Sequence, residues 1–209
     1  MPASCFGRAF DCEFLWRGAP AHGGDAMTDA TTLWTIGHGS RPIGEFLALL
    51  GEAEIRCLVD VRAYPVSRRY PQFARPALEI SLAQAGVRYL WEGRALGGRR
   101  SPAADSPHLA LKDSPFRAYA DHMMTAAFRD GLERLVESAR GERTAFMCAE
   151  RLPSECHRSL VSDALVARGV AVRHIVGSGG AQPHALHASA RRAGEGIVYD
   201  IGAQLPLGG

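Results

Sequence analysis

Short apolar runs alternate along this chain with longer segments whose apolar residues recur at helical spacing. The apolar runs predict five strands, at Leu33 to Ile36, Ile55 to Val61, Val87 to Trp91, Thr144 to Cys148 and Val170 to Val176. The helical segments follow Pro42 and then span Pro76 to Ala85, Ser114 to Ala139 with a break near Thr125, and Ser154 to Arg168. This alternation predicts an α/β fold with three layers, in which helices cover both faces of a mostly parallel sheet of about five strands.

The two ends of the chain and one long connection fit this pattern less well. Residues 1–26 show no periodicity and lack the long apolar segment of a signal peptide. Met27 resembles a second start, so we expect 1–26 to be a disordered or misassigned extension and 27–209 to be a single α/β domain. Residues 92–114 form a Gly-, Arg- and Pro-rich connection, which at this length is either functional or disordered. Gly196 to Tyr199 predicts an edge strand.

Composition and charge narrow the classes of protein. A formal net charge of +2 argues against a protein that coats nucleic acid. No apolar stretch approaches the roughly 18 residues needed to cross a membrane. The 5 cysteines are an odd number, scattered and without a secretory signal, which is typical of reduced thiols in a cytoplasmic protein. Lys112 is the only lysine, so nearly all positive charge is arginine, whose fork suits phosphate and carboxylate groups.

Polar side chains follow three of the predicted strands at the point where each strand ends. His38 follows the first strand, Asp60 and Arg62 close the second, and Cys148 and Glu150 close the fourth. The carboxyl ends of parallel strands meet at one edge of a sheet, where α/β proteins place their sites. We therefore expect these side chains to lie close together.

Each of these residues has more than one chemical role open to it. His38 is either an acid/base group near neutral pH or a loop anchor. Asp60 and Arg62 share one face of a strand, so they either pair with each other or hold His38 and an anionic substrate respectively. Glu150 is the second candidate carboxylate, and Cys148 is either a thiolate or a buried core thiol.

The tripeptide Cys156-His157-Arg158 falls, on this prediction, in the first turn of the last helix. The partial positive charge of a helix N-terminus lowers the pKa of a nearby thiol and favours a bound anion. The tripeptide therefore indicates a thiolate nucleophile or an anion cradle, and the alternative is that it only packs and caps the helix. With His38 and Cys148, Cys156 and His157 also make up an S₂N₂ donor set. Their spacing matches no common zinc pattern, so we expect no metal and no cofactor.

A second group of basic residues surrounds aromatic side chains after the second and third strands. Arg68 and Arg69 precede Tyr70, and Arg99 follows a double glycine. Arginine interleaved with aromatic rings grips phosphates and stacks bases. These loops are candidates for substrate binding, and they keep nucleic acid open as an alternative partner.

In order, these motifs resemble one known family. They are Thr-Ile-Gly-His at 35–38, Val-Asp-Val-Arg at 59–62 with Pro65 and Arg68-Arg69 after it, Leu-Gly-Gly-Arg at 96–99, and Cys-Ala-Glu through Cys-His-Arg at 148–158. This pattern resembles the bacterial and archaeal family "domain of unknown function 488" over Leu33 to Tyr199. The resemblance implies a compact α/β domain but no reaction. Carried over by position, its motif residues are His38, Asp60, Arg62, Arg68, Gly97, Gly98, Cys148, Glu150, Cys156, His157 and Arg158.

A fainter likeness connects the order of elements to rhodanese-type domains, although Pro153 stands where their loop offers backbone N–H groups.

These observations lead to one principal functional expectation. We expect an enzyme, a thiol-dependent transferase or hydrolase, that acts on an anionic substrate that is phosphorylated, a nucleotide or sulfur-containing. Cys156 or Cys148 would supply the thiolate, and His38 or His157 would move protons, with Glu150 and Asp60 as carboxylates. Arg62, Arg68, Arg69, Arg99 and Arg158 would bind the anion. The alternatives are a nucleic-acid-associated binding module and a metal-binding regulatory domain, and the oligomeric state is open.

Overall fold

A twisted, largely parallel sheet forms the centre of the molecule. The computed structural model describes residues 31–101 and 103–200. Within them the sheet contains β1 (Thr32–Gly37), β2 (Cys57–Asp60), β3 (Arg88–Trp91), β4 (Thr144–Cys148), β5 (Ala171–Ile175) and β6 (Gln182–Pro183). The strand order is β3-β2-β4-β1-β5-β6. The first five strands pair in parallel and only β6 runs antiparallel, at the edge beside β5.

Helices cover both faces of this sheet, which confirms the predicted three-layer α/β fold. They are α1 (Ile43–Glu52), α2 (Arg75–Gln84), α3 (Gly93–Leu96), α4 (Ser114–Met123), α5 (Ala126–Ser138) and α6 (Arg158–Val166), with 3-10 turns at Pro71–Phe73 and Pro153–Glu155. The apolar residues of α1 and α2 pack into one core, and those of α3 to α6 pack into the other. Over the described ranges, no helix combines the length and apolar character needed to span a bilayer.

Strand β4 separates the two cores and contributes to both. All of its residues are buried, and successive side chains point to opposite faces of the sheet. Ala145 and Met147 enter the core beneath α1 and α2, whereas Phe146 and Cys148 enter the core beneath the other helices. A strand buried on both faces needs an apolar sequence, which explains the run Ala145-Phe146-Met147 at its centre.

The structure corrects the predicted start of the last helix. Helix α6 begins at Arg158 rather than after Ser154, because Cys156 has extended backbone (φ −140°, ψ 143°) that separates the 3-10 turn from the helix. Cys156 therefore precedes the helix, and His157 is its N-cap residue. The predicted break near Thr125 is confirmed, since the Thr125 side chain accepts a hydrogen bond from the Phe128 N–H and caps α5.

The predicted edge strand at Gly196 to Tyr199 has the expected bounds but a different partner. It forms β8 (Gly196–Tyr199), which pairs with β7 (Ala190–Ala193) in a separate antiparallel hairpin. The edge of the central sheet beside β5 is taken by β6 instead. The long connection at 92–114 also contains the short helix α3. The predicted extension at residues 1–26 lies outside the described residues.

We expect truncation of Phe146 to weaken the whole fold, because its ring is fully buried in β4, the strand shared by both cores. Phe146→Ala should lower the free energy of unfolding in urea by about 3–5 kcal/mol. Ile80→Ala is the control, since Ile80 is 61% exposed on α2 and its loss should change stability by no more than about 0.5 kcal/mol. Equal losses for both variants would contradict the assignment of the core.

Candidate functional site

A cleft of about 910 Å³ opens where the parallel strands end. The ends of β1 and β4 are neighbours, since Gly37 is in register with Cys148 and the His38 N–H donates to the Cys148 carbonyl over 3.1 Å. The predicted site residues in its lining are His38, Arg62, Arg99, Cys148, Glu150, Cys156 and His157. Asp60, Arg68, Arg69 and Arg158 are not part of the lining. The structure thus brings most of the predicted residues together at the predicted edge.

Two sulfur atoms and one imidazole nitrogen meet at the floor of the cleft. The His157 Nδ1 lies 3.7 Å from the Cys156 Sγ and 3.8 Å from the Cys148 Sγ. All three atoms are within 4.8 Å of one another. The Cys148 thiol also donates to the Glu150 Oε2 over 3.1 Å. Neither cysteine is disulfide-bonded, so this floor is a pair of free thiols with a base and a carboxylate beside them.

The surroundings of the two thiols differ enough to separate their acidities. Burial by itself raises the pKa of Cys156, but the neighbouring Cys148 and His157 side chains and the positive charge of Arg158 outweigh it and hold that pKa well below the usual range. The Cys156 thiolate next to Cys148, together with burial, raises the pKa of Cys148 well above the usual range. These opposite shifts favour loss of the proton from Cys156 before Cys148.

Glu150 lines the same cleft, beside Cys148. The cleft walls keep water from part of its carboxyl group, and the negative charge of Cys156 adds to that effect, so the pKa of Glu150 is raised. Its carboxyl group is thus placed to accept or return a proton at Cys148, to which it is hydrogen-bonded.

The His157 ring is fixed by close packing on both sides. The Tyr119 ring lies 4.8 Å away, centre to centre, and the Tyr119 hydroxyl donates to the Leu96 carbonyl. On the opposite side is Gly98, where a Cβ atom would lie 2.5 Å from the His157 Nδ1. A side chain at position 98 would displace the imidazole. This close approach explains why the second residue of the double-glycine motif is glycine.

Arg158 is buried and acts from behind the cleft. It is 1% exposed, and its guanidinium donates to the carbonyls of Glu150 and Arg151 and to the Thr35 hydroxyl, at 2.7, 3.3 and 3.2 Å. The predicted role of Arg158 as a direct anion ligand has no support in this arrangement, because Arg158 is buried outside the cleft lining and its terminal nitrogens are bonded to Thr35 and to the loop after β4. Its charge still acts on Cys156.

Asp60 and Arg62 form an ion pair with each other, which is one of the two arrangements that the sequence left open. The Arg62 Nε lies 2.9 Å from the Asp60 Oδ1, and its NH2 lies 2.5 Å from the Oδ2. The Tyr89 hydroxyl donates to the same carboxylate over 2.7 Å, and the Arg62 NH1 donates to the Phe73 carbonyl. Both charges are buried and largely neutralise each other, so Arg62 lines the cleft as half of an ion pair.

His38 is a neutral imidazole at neutral pH. Its Nδ1–H donates to the Gly39 carbonyl over 2.8 Å, and its ring stacks on Phe73 at 4.3 Å. Burial lowers the pKa of His38 to about 4, although the hydrogen bond to Gly39 partly offsets that effect. With Nδ1 occupied, Nε2 is the nitrogen that holds the lone pair. His38 is both the loop anchor and a cleft-lining hydrogen-bond acceptor.

The exposed arginines divide into two sets. Arg99 lines the cleft and its guanidinium lies 5.9 Å from the centre of the Tyr64 ring. Arg151, which the sequence analysis missed, also lines the cleft, beside Gly39. Arg68 and Arg69 lie outside it, with Arg69 over the Tyr70 ring at 5.5 Å. Arg151 directly follows Glu150, so its position just after the end of β4 was the sequence feature that could have identified it as a cleft residue.

A buried chain of hydrogen bonds behind the site was not predicted. The Asp163 carboxylate accepts from the His184 Nε2 over 2.8 Å, so the His184 Nδ1 accepts from the His174 Nε2 over 2.9 Å. The His174 Nδ1 then accepts from the Thr35 hydroxyl over 2.7 Å, and Thr35 accepts from Arg158. In this order each ring nitrogen is either a donor or an acceptor. The hydrogen bonds therefore fix the orientation of the His174 and His184 rings behind β1. No local pattern signals such contacts between distant segments.

The three atoms at the cleft floor are also donor types that bind zinc. Two thiols and an imidazole with an open fourth position match the composition of some zinc sites. His38, the fourth member of the S₂N₂ set considered from the sequence, is not in the group that converges among the described residues. The residues able to hold such an ion are therefore Cys148, Cys156 and His157.

Comparison with known proteins gives a family and no activity. Residues 42–165, more than half of the chain, match the family described as "Domain of unknown function DUF488". The matched range contains the Asp60–Arg62 pair and all of the cleft floor, whereas His38 precedes it. No curated protein and no solved structure matches the chain.

The low pKa of His38 predicts a measurable loss of stability in acid. Between about pH 6.5, where an unfolded histidine titrates, and about pH 4, where folded His38 does, only the unfolded chain binds the proton. The free energy of unfolding therefore falls as the pH is lowered through this interval, by at most about 1.4 kcal/mol per pH unit from this residue.

His38→Asn is the variant that tests this loss, because an Asn side-chain N–H can replace the Nδ1–H bond to Gly39 without titrating. Urea unfolding should show a smaller loss for His38→Asn than for the wild type between neutral pH and the folded pKa. Parallel stability curves would show that His38 does not titrate as the structure indicates.

Proposed function

The chain belongs to the DUF488 family, and from that premise we propose that it is an enzyme that attacks a small anionic substrate with the Cys156 thiolate. The observation that carries this proposal is the convergence of Cys156, Cys148 and His157 on the floor of one cleft, with the His157 Nδ1 3.7 Å from the Cys156 Sγ. A thiolate beside a base, in a cleft large enough for a small ligand, is the arrangement that nucleophilic catalysis requires.

The neighbours of Cys156 divide the remaining chemical work. A thiolate at Cys156 accepts the hydrogen bond of the His157 Nδ1–H, and the same proton can pass to a leaving group. The pKa of Glu150 is raised, so its carboxyl group can supply a second proton. His38, which also lines the cleft, offers a neutral nitrogen lone pair.

Arg99 and Arg151 are the residues that support recognition of an anion. Both are exposed in the cleft, and neither forms an ion pair with any carboxylate in the described ranges. Arg62 is already neutralised by Asp60. Two uncommitted guanidinium groups above a thiolate favour a ligand that places negative charge at the mouth and an electrophilic atom at the floor.

A second candidate function is the binding of single-stranded nucleic acid. Tyr64 is 67% exposed with Arg99 beside it, and Arg69 lies against Tyr70. Such pairs stack bases and contact phosphates. Affinity for a single-stranded oligonucleotide that falls steeply with salt would favour this candidate.

Alkylation with a matched pair of reagents tests the enzyme proposal. In the reduced full chain with chelator, neutral iodoacetamide should label Cys156 fastest at a pH below the free-thiol pKa of about 8.5. Cys148 and Cys57 should both label more slowly, because the pKa of each is raised, and Cys57 is the internal control. Mass spectrometry assigns each label to its cysteine. Labelling that needs the chelator would favour the metal-binding alternative.

The charged reagent iodoacetate tests the anion site. Replacing Arg99 and Arg151 with Gln should lower the ratio of iodoacetate to iodoacetamide rates at Cys156 by about two- to thirtyfold, from about 0.2–1 kcal/mol for each screened ion pair. The iodoacetamide rate itself should not change. An unchanged ratio would contradict the anion site, and labelling of Cys156 no faster than of Cys57 would contradict the thiolate.

A further inference from the structure

The cleft floor holds two thiols where a simple nucleophile needs one. Resting on the function proposed above, we propose that Cys148 is a resolving thiol and that the substrate is an anion whose reacting atom is a terminal sulfur. The catalytic cycle would then pass through a Cys148–Cys156 disulfide. This inference names a second catalytic residue and the class of substrate.

Cys148 is positioned to attack the Cys156 sulfur. Its Sγ lies within 4.8 Å of the Cys156 Sγ, and both sulfurs contact the same His157 nitrogen. Its thiol hydrogen points to the Glu150 carboxylate at 3.1 Å. Glu150 can therefore remove the proton from Cys148 at the moment when Cys156 no longer carries negative charge. A thiol that only packs in the core needs no hydrogen bond to a carboxylate. In the described residues, Cys57 in β2 forms no hydrogen bond to a carboxylate.

Access to the two sulfurs limits the shape of the substrate. Cys156 is 2% exposed and Cys148 is 5% exposed, so only an atom at the end of a molecule can reach them. The guanidinium groups of Arg99 and Arg151 lie on the lining of the same cleft, closer to solvent. A terminal sulfur joined to an anionic group satisfies both conditions, whereas the internal S–S bond of a bulky disulfide does not.

The first step forms a sulfur–sulfur bond on Cys156. The thiolate attacks the terminal sulfur, and the bond between that sulfur and the anionic group breaks. The electron pair of the broken bond leaves with the anionic group, which is released. Cys156 then carries one extra sulfur atom as a persulfide.

The second step oxidises the two cysteines and reduces the transferred sulfur. Glu150 accepts the Cys148 proton, and the Cys148 thiolate attacks the Cys156 Sγ. The bond from Cys156 to the extra sulfur breaks with its electron pair going to that sulfur, which takes up the proton held by Glu150 and leaves as hydrosulfide. Two thiols have become a disulfide, and the terminal sulfur has become sulfide. An external dithiol must reduce the disulfide before another turnover.

Thiosulfate is the probe that tests this sequence on the reduced full chain, freed of excess reductant and supplied with chelator. The wild type should release sulfite and sulfide in equal amounts and should gain a Cys148–Cys156 disulfide, mapped by peptide mass. Cys148→Ser and Cys148→Ala should release sulfite without sulfide and should retain one extra sulfur on Cys156. Cys156→Ser should release neither. Cys57→Ala should behave as the wild type does.

The outcomes separate this inference from the function on which it rests. Sulfide release by both Cys148 variants at the wild-type yield would show that Cys148 does not resolve the persulfide. Rapid iodoacetamide labelling of Cys156 without transfer from thiosulfate would overturn the sulfur substrate and leave the thiolate proposal standing. Slow labelling together with no transfer would overturn both.

Discussion

The buried guanidinium of Arg158 is the constraint on which the rest of the site depends. A charge removed from water must be met by hydrogen bonds, because an unmet buried charge costs several kcal/mol. The two terminal nitrogens of Arg158 meet this requirement through the carbonyls of Glu150 and Arg151 and the Thr35 hydroxyl, whereas its Nε is buried without a hydrogen-bond partner in the described residues. These contacts tie β1, the end of β4 and the start of α6 to one point. Gly37 permits the same close contact between β1 and the end of β4, since a Cβ at this position would collide with the Glu150 carbonyl.

The shape and the charge of the cleft both depend on these contacts of Arg158. The loop after β4 turns at the carbonyls that Arg158 holds, which sets Cys148 and Glu150 beside Cys156. The same positive charge favours a thiolate at Cys156. Arg62 does not compete for an anion, because Asp60 neutralises it within the protein. Among the described residues that line the cleft, Arg99 and Arg151 are the arginines without a carboxylate partner.

The sequence allowed the strands, the edge of the sheet and most of the cleft residues to be predicted, for an identifiable physical reason. Buried parallel strands need continuous apolar runs, so a polar residue such as Asp60 or Cys148 marks a strand end. The start of α6 was predicted wrongly because Ser154 and Pro153 resemble helix-starting residues, whereas the extended backbone at Cys156 depends on its tertiary contacts. The role of Arg158 and the His174–His184 chain could not be predicted, since both depend on segments far apart in sequence.

The central claim is that the folded chain carries a thiolate at Cys156 near neutral pH. Thiolate absorbance in the ultraviolet measures this directly, when the reduced, metal-free wild type and Cys156→Ser are titrated from acid to about pH 10. The account predicts that the wild type shows a thiolate step well below the free-thiol value of about 8.5 and that Cys156→Ser lacks it. Curves that coincide below that value would contradict the account.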